Sequence, residues 1–234
     1  MRKFRKGIIK NMRAMILAAG LGSRMQPLTR DLPKPLLEVN GISLIEYTIN
    51  NLRNYGIKEF IINVSYLGEK IKLALESIEG ASNIIFLDEP YPFGTGGALL
   101  NAKDSLGSAP FILSTSDILF NPDLTKIPDN VETAHLIATK NPDHNKGGDF
   151  SLNEESVFIN EGFNDYTYSG LSVINPRVLE NHVSRDYPFD LWGTILTPLI
   201  KSSKVTGHFD DSFWIDVGTP DRLKLARTVL KDQN

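Results

Sequence analysis

Leu17-Ala18-Ala19-Gly20-Leu21-Gly22-Ser23-Arg24-Met25-Gln26-Pro27-Leu28-Thr29, followed by Pro33-Lys34-Pro35, is the stretch that decides the reading of this chain. It follows Ala14-Met15-Ile16-Leu17, a short apolar run of the kind a buried parallel strand shows. Small residues and glycines let the backbone approach a ligand closely and aim N–H groups at anionic oxygens. Arg24 adds a forked cation suited to phosphate. Lys34, between two prolines that fix the local backbone, adds a point charge. The glycine spacing is neither that of a Walker loop nor the dinucleotide fingerprint. A glycine-rich loop alone could be an ordinary turn, but with Arg24 and the clamped Lys34 beside it the segment reads as a phosphate cradle.

Outward from the cradle, strands and helices alternate. Leu44 to Asn54 carries apolar residues at helical spacing and closes at Tyr55-Gly56. Glu59 to Val64 predicts a strand, Gly68 to Ile78 a helix, Asn83 to Leu87 a strand and Gly97 to Lys103 a short helix. Pro110 to Thr115 predicts a fourth strand, ending at Ser116-Asp117. Such alternation implies an α/β fold, with a doubly wound, largely parallel (mixed) Rossmann-like sheet. Ligands in such sheets bind beyond the carboxyl ends of the strands. The loops at 18–35, 63–67, 88–97 and 114–121 then converge on one rim. The second half differs: a hairpin over 150–159, a strand over 166–174, a helix over 189–200, a strand over 213–217 and a helix over 220–230. No Gly-, Pro- or Ser-rich linker separates the halves. We therefore expect one domain over 12–234, with halves at about 12–120 and about 121–234 and a small β subregion in the second.

Composition narrows the classes further. The chain has 234 residues, 41% hydrophobic and 23% charged, a balance that excludes collagen-like and disordered classes. A net charge of −3 argues against a nucleic-acid partner, and no apolar run is long enough for a membrane helix. With no cysteine, thiolate metal sites and cysteine nucleophiles are excluded. Met1 to Asn11 holds five basic residues around Ile8-Ile9, lacks the apolar core of a signal peptide, and is expected to be a disordered tail. The expected location is the cytoplasm; oligomeric state cannot be read.

The run from Met15 to Pro35 resembles the signature of nucleotidyltransferases that join a nucleoside triphosphate to a sugar 1-phosphate, and the resemblance continues from Met12 to about Leu230. Asn63 with Tyr66-Leu67-Gly68, Glu89 with Gly94-Thr95-Gly96-Gly97-Ala98, Tyr168 to Val173 and Trp214 to Pro220 resemble further family segments. Ser116-Asp117 stands where the family has Gly-Asp. The resemblance implies a nucleotide-binding half at about 12–120, a sugar-binding half with an acceptor-side β subregion at about 121–234, these two substrates as partners, and Mg²⁺ as cofactor, held by Asp117 and Asp216. It implies Arg24, Lys34 and Asp117 as catalytic residues. Nucleotide contacts fall to Leu17, Ala18, Ala19, Gly20, Gly22, Ser23, Asn63, Glu89 and Gly97, and acceptor contacts to Asp149, Ser169 and Gly170. The short length and Gly148-Asp149-Phe150 resemble most a uridylyl-transferring branch of cell-wall recycling, implying UTP and N-acetylmuramate α-1-phosphate. A guanylyl-transferring branch using mannose or heptose 1-phosphate is the alternative, and a silent nucleotide-binding regulator a further one.

Residue by residue, plainer roles stay open. Either aspartate alone could be a turn or helix-cap residue; Asn63 and Glu89 could satisfy strand-end backbone groups; Asp149 and Ser169 could be structural. The histidines at 135, 144, 182 and 208 lack metal-ligand spacing and read as surface or packing residues. No lysine occurs over 160–165, where other family members place the one that holds the sugar phosphate.

Overall fold

The computed structural model describes Ile9 and residues 12–78, 81–182 and 186–231. In chain order its elements are β1 (Ala14–Leu17), β2 (Glu38–Val39), β3 (Ile42–Ser43), α1 (Leu44–Asn54), β4 (Phe60–Val64), α2 (Gly68–Glu76) and β5 (Ile84–Asp88). Next come α3 (Gly94–Asn101), α4 (Lys103–Leu106), β6 (Phe111–Thr115), β7 (Ile118–Phe120), β8 (Ala134–Lys140), β9 (Ser151–Asn153), β10 (Ser156–Phe158) and β11 (Tyr166–Ile174). The chain closes with α5 (Thr197–Lys201), β12 (Val205–Phe209), β13 (Trp214–Asp216) and α6 (Pro220–Lys231).

One sheet of nine strands, ordered β5-β4-β1-β6-β11-β8-β12-β10-β9, runs through both halves. Its first four strands are mutually parallel. β11 then runs antiparallel to both neighbours, β12 is parallel to β8, and the β9–β10 hairpin closes the far edge antiparallel. The expected parallel character therefore belongs to the first half, and the second half is mixed. β1 and β4 are apolar runs because both faces of a parallel sheet are covered. Ala14, Met15, Ile16, Phe60, Ile61 and Ile62 are all fully buried.

Local chemistry fixes the first helix. Ser43 and Glu46 form a reciprocal capping box at its start, and Leu44, Ile45, Thr48, Ile49 and Leu52 turn inward. Register then sets the site: Leu17 lies level with Asn63 on one side and Thr115 on the other. The carboxyl ends of β1, β4 and β6 thus finish side by side, as ligand-binding α/β sheets require. Outside the main sheet, β13 pairs antiparallel with β7, placing Asp216 opposite Ile118.

Several expectations need correction. β8 and β12 were not foreseen, because His135, Thr139, Thr206 and His208 break the apolar run. The helix expected over 189–200 is a π-helical turn, Trp192–Leu196, followed by α5. α3 begins at Gly94, three residues early. The expected disordered tail lies outside the described residues except for Ile9. That residue is 8% exposed and belongs to the same apolar cluster as Ile16, and its carbonyl accepts Met12 N–H at 3.0 Å. A wholly unpacked tail is thus incorrect. No helix among the described residues is long and apolar enough to cross a membrane.

Candidate active site

At the aligned strand ends lies a cleft of about 440 Å³. Leu17, Ala18, Ala19, Gly20, Gly22, Ser23, Arg24, Lys34, Asn63, Glu89 and Asp117 all line it. Gly22 has φ +64, and a Cβ there would press on Lys34 Cβ and Thr29 Cγ2, each at 3.1 Å. Its carbonyl accepts the Thr29 hydroxyl at 2.8 Å, tying the loop back on itself. At Gly20 nothing lies within 4 Å of where a Cβ would be, so the loop faces open space. Ser116 fits on this wall despite its Cβ: it is 5% exposed and its N–H donates to Leu17 O at 3.1 Å.

Asn63 and Glu89 brace the cradle. Asn63 Oδ1 accepts Ala18 N–H at 3.0 Å, while its Nδ2 donates to Glu89 Oε1 at 2.8 Å. Glu89 Oε2 accepts Phe93 N–H at 2.8 Å. Both side chains are nearly buried, and burial raises the Glu89 carboxyl above its ordinary range despite these donors. Three strand ends and the loop before α3 are thus fastened by two side chains.

Lys34 Nζ forms an ion pair with Asp117 Oδ2. Burial works to raise the Asp117 carboxyl, but the Lys34 ammonium outweighs it and holds the group below its ordinary value. Asp216 arrives on the neighbouring strand, where Val217 N–H donates to Asp117 O at 2.7 Å. Burial raises Asp216, opposed by Arg222 and His144 and assisted by the nearby Asp117 charge. Arg222 Nη1 stands 2.8 Å from Asp216 Oδ1, and His144 Nε2 stands 3.1 Å from the same oxygen. Gly218 lines the cleft, and a Cβ there would overlap the Arg222 guanidinium. Sequence reasoning left His144 as a surface or packing residue and did not single out Arg222. Only the fold joins a loop after β8 to the first turn of α6.

A second cavity of about 290 Å³ shares Leu17, Thr95 and Thr115 with the cleft. Asp149 and Gly170 line it, beside Leu113, Tyr168, Leu191 and Trp192. The Asp149 carboxylate is fixed by Asn145 Nδ2 at 3.0 Å and Tyr168 N–H at 2.8 Å. Burial pushes the Tyr168 hydroxyl up to about 12, and it pairs with Ser172 Oγ at 2.8 Å.

Two expected contacts face elsewhere. Ser169 is fully buried; its hydroxyl accepts Leu171 N–H at 3.3 Å, its carbonyl accepts Trp214 Nε1–H at 2.8 Å, and it lines neither cavity. Gly97 also lines neither: its N–H, like that of Gly96, donates to Phe189 O, at 3.2 and 3.1 Å. A Cβ at Gly94 would overlap the Phe189 carbonyl, and Cβ atoms at Gly96 and Gly97 would strike the Phe189 and Tyr187 rings. Gly96 and Gly97 are therefore a packing seam that seats the 187–192 segment, which carries Leu191 and Trp192 into the second cavity, while Gly94 and Thr95 line the cleft.

The donor set bears on the expected metal. No group of three or more His, Cys, Asp or Glu suited to a metal ion occurs among the described residues. The ribbon instead brings two carboxylates, Asp117 and Asp216, together. Mg²⁺ is ordinarily held by one or two carboxylates, with phosphate oxygens and waters completing its octahedron. The residues present fit that ion.

The sequence profile described as Nucleotidyl transferase matches residues 13–233. The chain belongs to that family and is an enzyme of nucleotidyl transfer. It is 36% identical over 233 residues to N-acetylmuramate alpha-1-phosphate uridylyltransferase of Neisseria meningitidis serogroup B, covering 93% of this chain and 98% of that one. It is 27% identical to D-glycero-alpha-D-manno-heptose 1-phosphate guanylyltransferase of Campylobacter jejuni, over 90% of this chain and 96% of the other. A Bacillus anthracis crystal structure, provisionally assigned as a glucose-1-phosphate thymidylyltransferase, shares the fold with a TM-score of 0.84 at 19% identity, covering 95% and 96% of the two chains.

Proposed function

We propose that this chain transfers a uridylyl group from UTP to a sugar 1-phosphate, N-acetylmuramate α-1-phosphate, releasing pyrophosphate in the cytoplasm. The observation that carries the reading is the shared wall: the cradle cleft and the second cavity meet at Leu17, Thr95 and Thr115, with Thr115 and Ser116 the two residues before Asp117 in the chain. A triphosphate in the cradle and a sugar in the second cavity would bring their phosphates together there. The 36% identity to the meningococcal uridylyltransferase supports the choice of base and sugar.

The reaction forms a bond from an acceptor phosphate oxygen to the α-phosphorus and breaks the bond to the β-phosphate bridging oxygen. Two polyanions must be held in line, so positioning and offset of charge do the catalytic work. The backbone of 18–23 cradles the triphosphate, and Arg24 holds the departing pyrophosphate with its guanidinium fork. Lys34 leaves Asp117 for the α-phosphate. Asp117 and Asp216 would hold Mg²⁺, which when bound would offset the phosphate charge. Asp149 accepts from an acceptor hydroxyl, and Leu191 and Trp192 give the sugar an apolar wall.

The similarity to the heptose 1-phosphate guanylyltransferase favours a second reading, guanylyl transfer to a mannose or heptose 1-phosphate. Pyrophosphate release measured for four triphosphates against these sugar phosphates separates the two. UTP with N-acetylmuramate α-1-phosphate should give the highest kcat/KM. A higher value for GTP with a mannose or heptose 1-phosphate would replace the first reading by the second.

A further inference from the structure

The second cavity has a polar inventory that does not match a phosphorylated sugar. Its ten lining residues include one carboxylate, Asp149, and no cation, and no lysine occurs over 160–165. Most of its polar atoms are already engaged. Asp149 holds Asn145 and Tyr168, Tyr168 pairs with Ser172, and Thr95 Oγ1 accepts Leu191 N–H at 2.8 Å. Thr115 differs. Its Oγ1 is buried and makes no hydrogen bond of full geometry among the described residues, although it stands near enough to the Asp117 carboxylate to help hold that group below its ordinary value. Folded chains rarely leave a buried hydroxyl so loosely engaged without a functional reason. It stands on the wall the two cavities share, beside Gly170, where φ is +85 and an added Cβ would lie 2.9 Å from Oγ1. The missing side chain leaves that hydroxyl room to turn.

We infer that the Thr115 hydroxyl binds the acceptor phosphate, turning from the wall to donate a hydrogen bond to a phosphate oxygen of the sugar substrate. The cradle side has Lys34 and backbone donors for the α-phosphate; the acceptor side has this hydroxyl. No bond is made or broken at Thr115. Its role is to touch the substrate and aim the attacking oxygen at the α-phosphorus. The inference rests on the proposed reaction.

Thr115→Val keeps the shape and removes the donor, while Thr115→Ser keeps the donor. The measurements are KM for N-acetylmuramate α-1-phosphate, KM for UTP, and the melting temperature of the unliganded protein. Replacing a buried hydroxyl that makes no hydrogen bond of full geometry by a methyl group should leave the fold about as stable, so Thr115→Val should melt close to wild type. Its acceptor KM should rise roughly 10- to 100-fold, the weight of a hydrogen bond to a charged group, with UTP KM within about twofold. Thr115→Ser should stay within about threefold of wild type on both. An unchanged acceptor KM in Thr115→Val, an equal rise in UTP KM, or a large fall in melting temperature would overturn the inference. Wild type inactive on this acceptor but active on another pair would remove the proposed substrates, and the inference with them. Wild type active with Thr115→Val unchanged would remove the inference alone.

Discussion

Lys34 and Asp117, 83 positions apart in the chain, are ion-paired across the mouth of the cleft. The lysine occupies the carboxylate on which a divalent ion would sit, so cation and ion compete for one group until a phosphate draws the lysine away. Lys34→Ala should therefore bind Mn²⁺, a magnesium surrogate, more tightly than wild type without nucleotide, while losing turnover in synthesis and pyrophosphorolysis alike. Asp117→Asn and Asp216→Asn should each lose Mn²⁺ binding and about 10²- to 10³-fold in kcat, with the fold retained. Paramagnetic titration and initial rates check both; unchanged Mn²⁺ affinity in Lys34→Ala would disprove the competition.

Arg24 is predicted to act on the leaving group, whose charge grows as the bond to the α-phosphorus breaks. Arg24→Ala should lower kcat far more than it raises acceptor KM, and Arg24→Lys should recover only part of the loss, because an ammonium lacks the bidentate fork. Forward and reverse rates for both variants provide the check. Intact turnover in Arg24→Ala would take the residue out of the mechanism.

Gly94 has φ +78, and an added Cβ would overlap the Phe189 carbonyl. Gly94→Ala should cost about 2 kcal/mol or more, combining left-handed strain with that overlap. Because the displaced 187–192 segment carries Leu191 and Trp192, acceptor KM should rise more than UTP KM, to which Gly94 contributes only from the cleft wall. Thermal melts and paired KM values test this, and an equal loss of UTP affinity would contradict it.

How much of this was legible in the sequence depends on how local each signal is. The loop that lines the cleft could be read because the loop, its preceding strand and its lysine are close neighbours in the chain. The Gly94–Gly97 run reads ambiguously because close approach to a cleft and close approach to an aromatic ring select the same residue: Gly94 lines the cleft, while Gly96 and Gly97 pack on Phe189 and Tyr187. His144 and Arg222 gave no local sign of their partner: each meets Asp216 only through the fold. The alternation in β8 was obscured by His135, whose imidazole pairs with His208 at 2.8 Å instead of facing water.

That pair sets a pH dependence. Burial, and then the neighbouring His208, lower His135 to about 4, and burial likewise lowers His208. Between the ordinary value near 6.5 and about 4 the unfolded chain binds more protons than the native one, so stability falls as pH falls. The loss should reach about 3 kcal/mol across that window. Melting curves from pH 7.5 to 4.5 should be flatter for His135→Gln than for wild type. Parallel curves would show that another group dominates.

Ile9 is 8% exposed within the main apolar cluster. Ile9→Ser in the full chain should lower the melting temperature by several degrees, since its buried side chain is worth about 1.5–3 kcal/mol. A melt unchanged by Ile9→Ser would show that this contact contributes little.

The β7–β13 ribbon carries a consequence for biosynthesis. Asp117 leaves the ribosome 99 residues before Asp216, an interval of roughly 5–20 seconds at ordinary elongation rates. During that interval the nascent chain already owns its cradle, its Lys34 and one of its two carboxylates. Under the proposed reaction, the chemistry would wait for the last strand to emerge, because a chain without it would have the cradle and lack the second carboxylate.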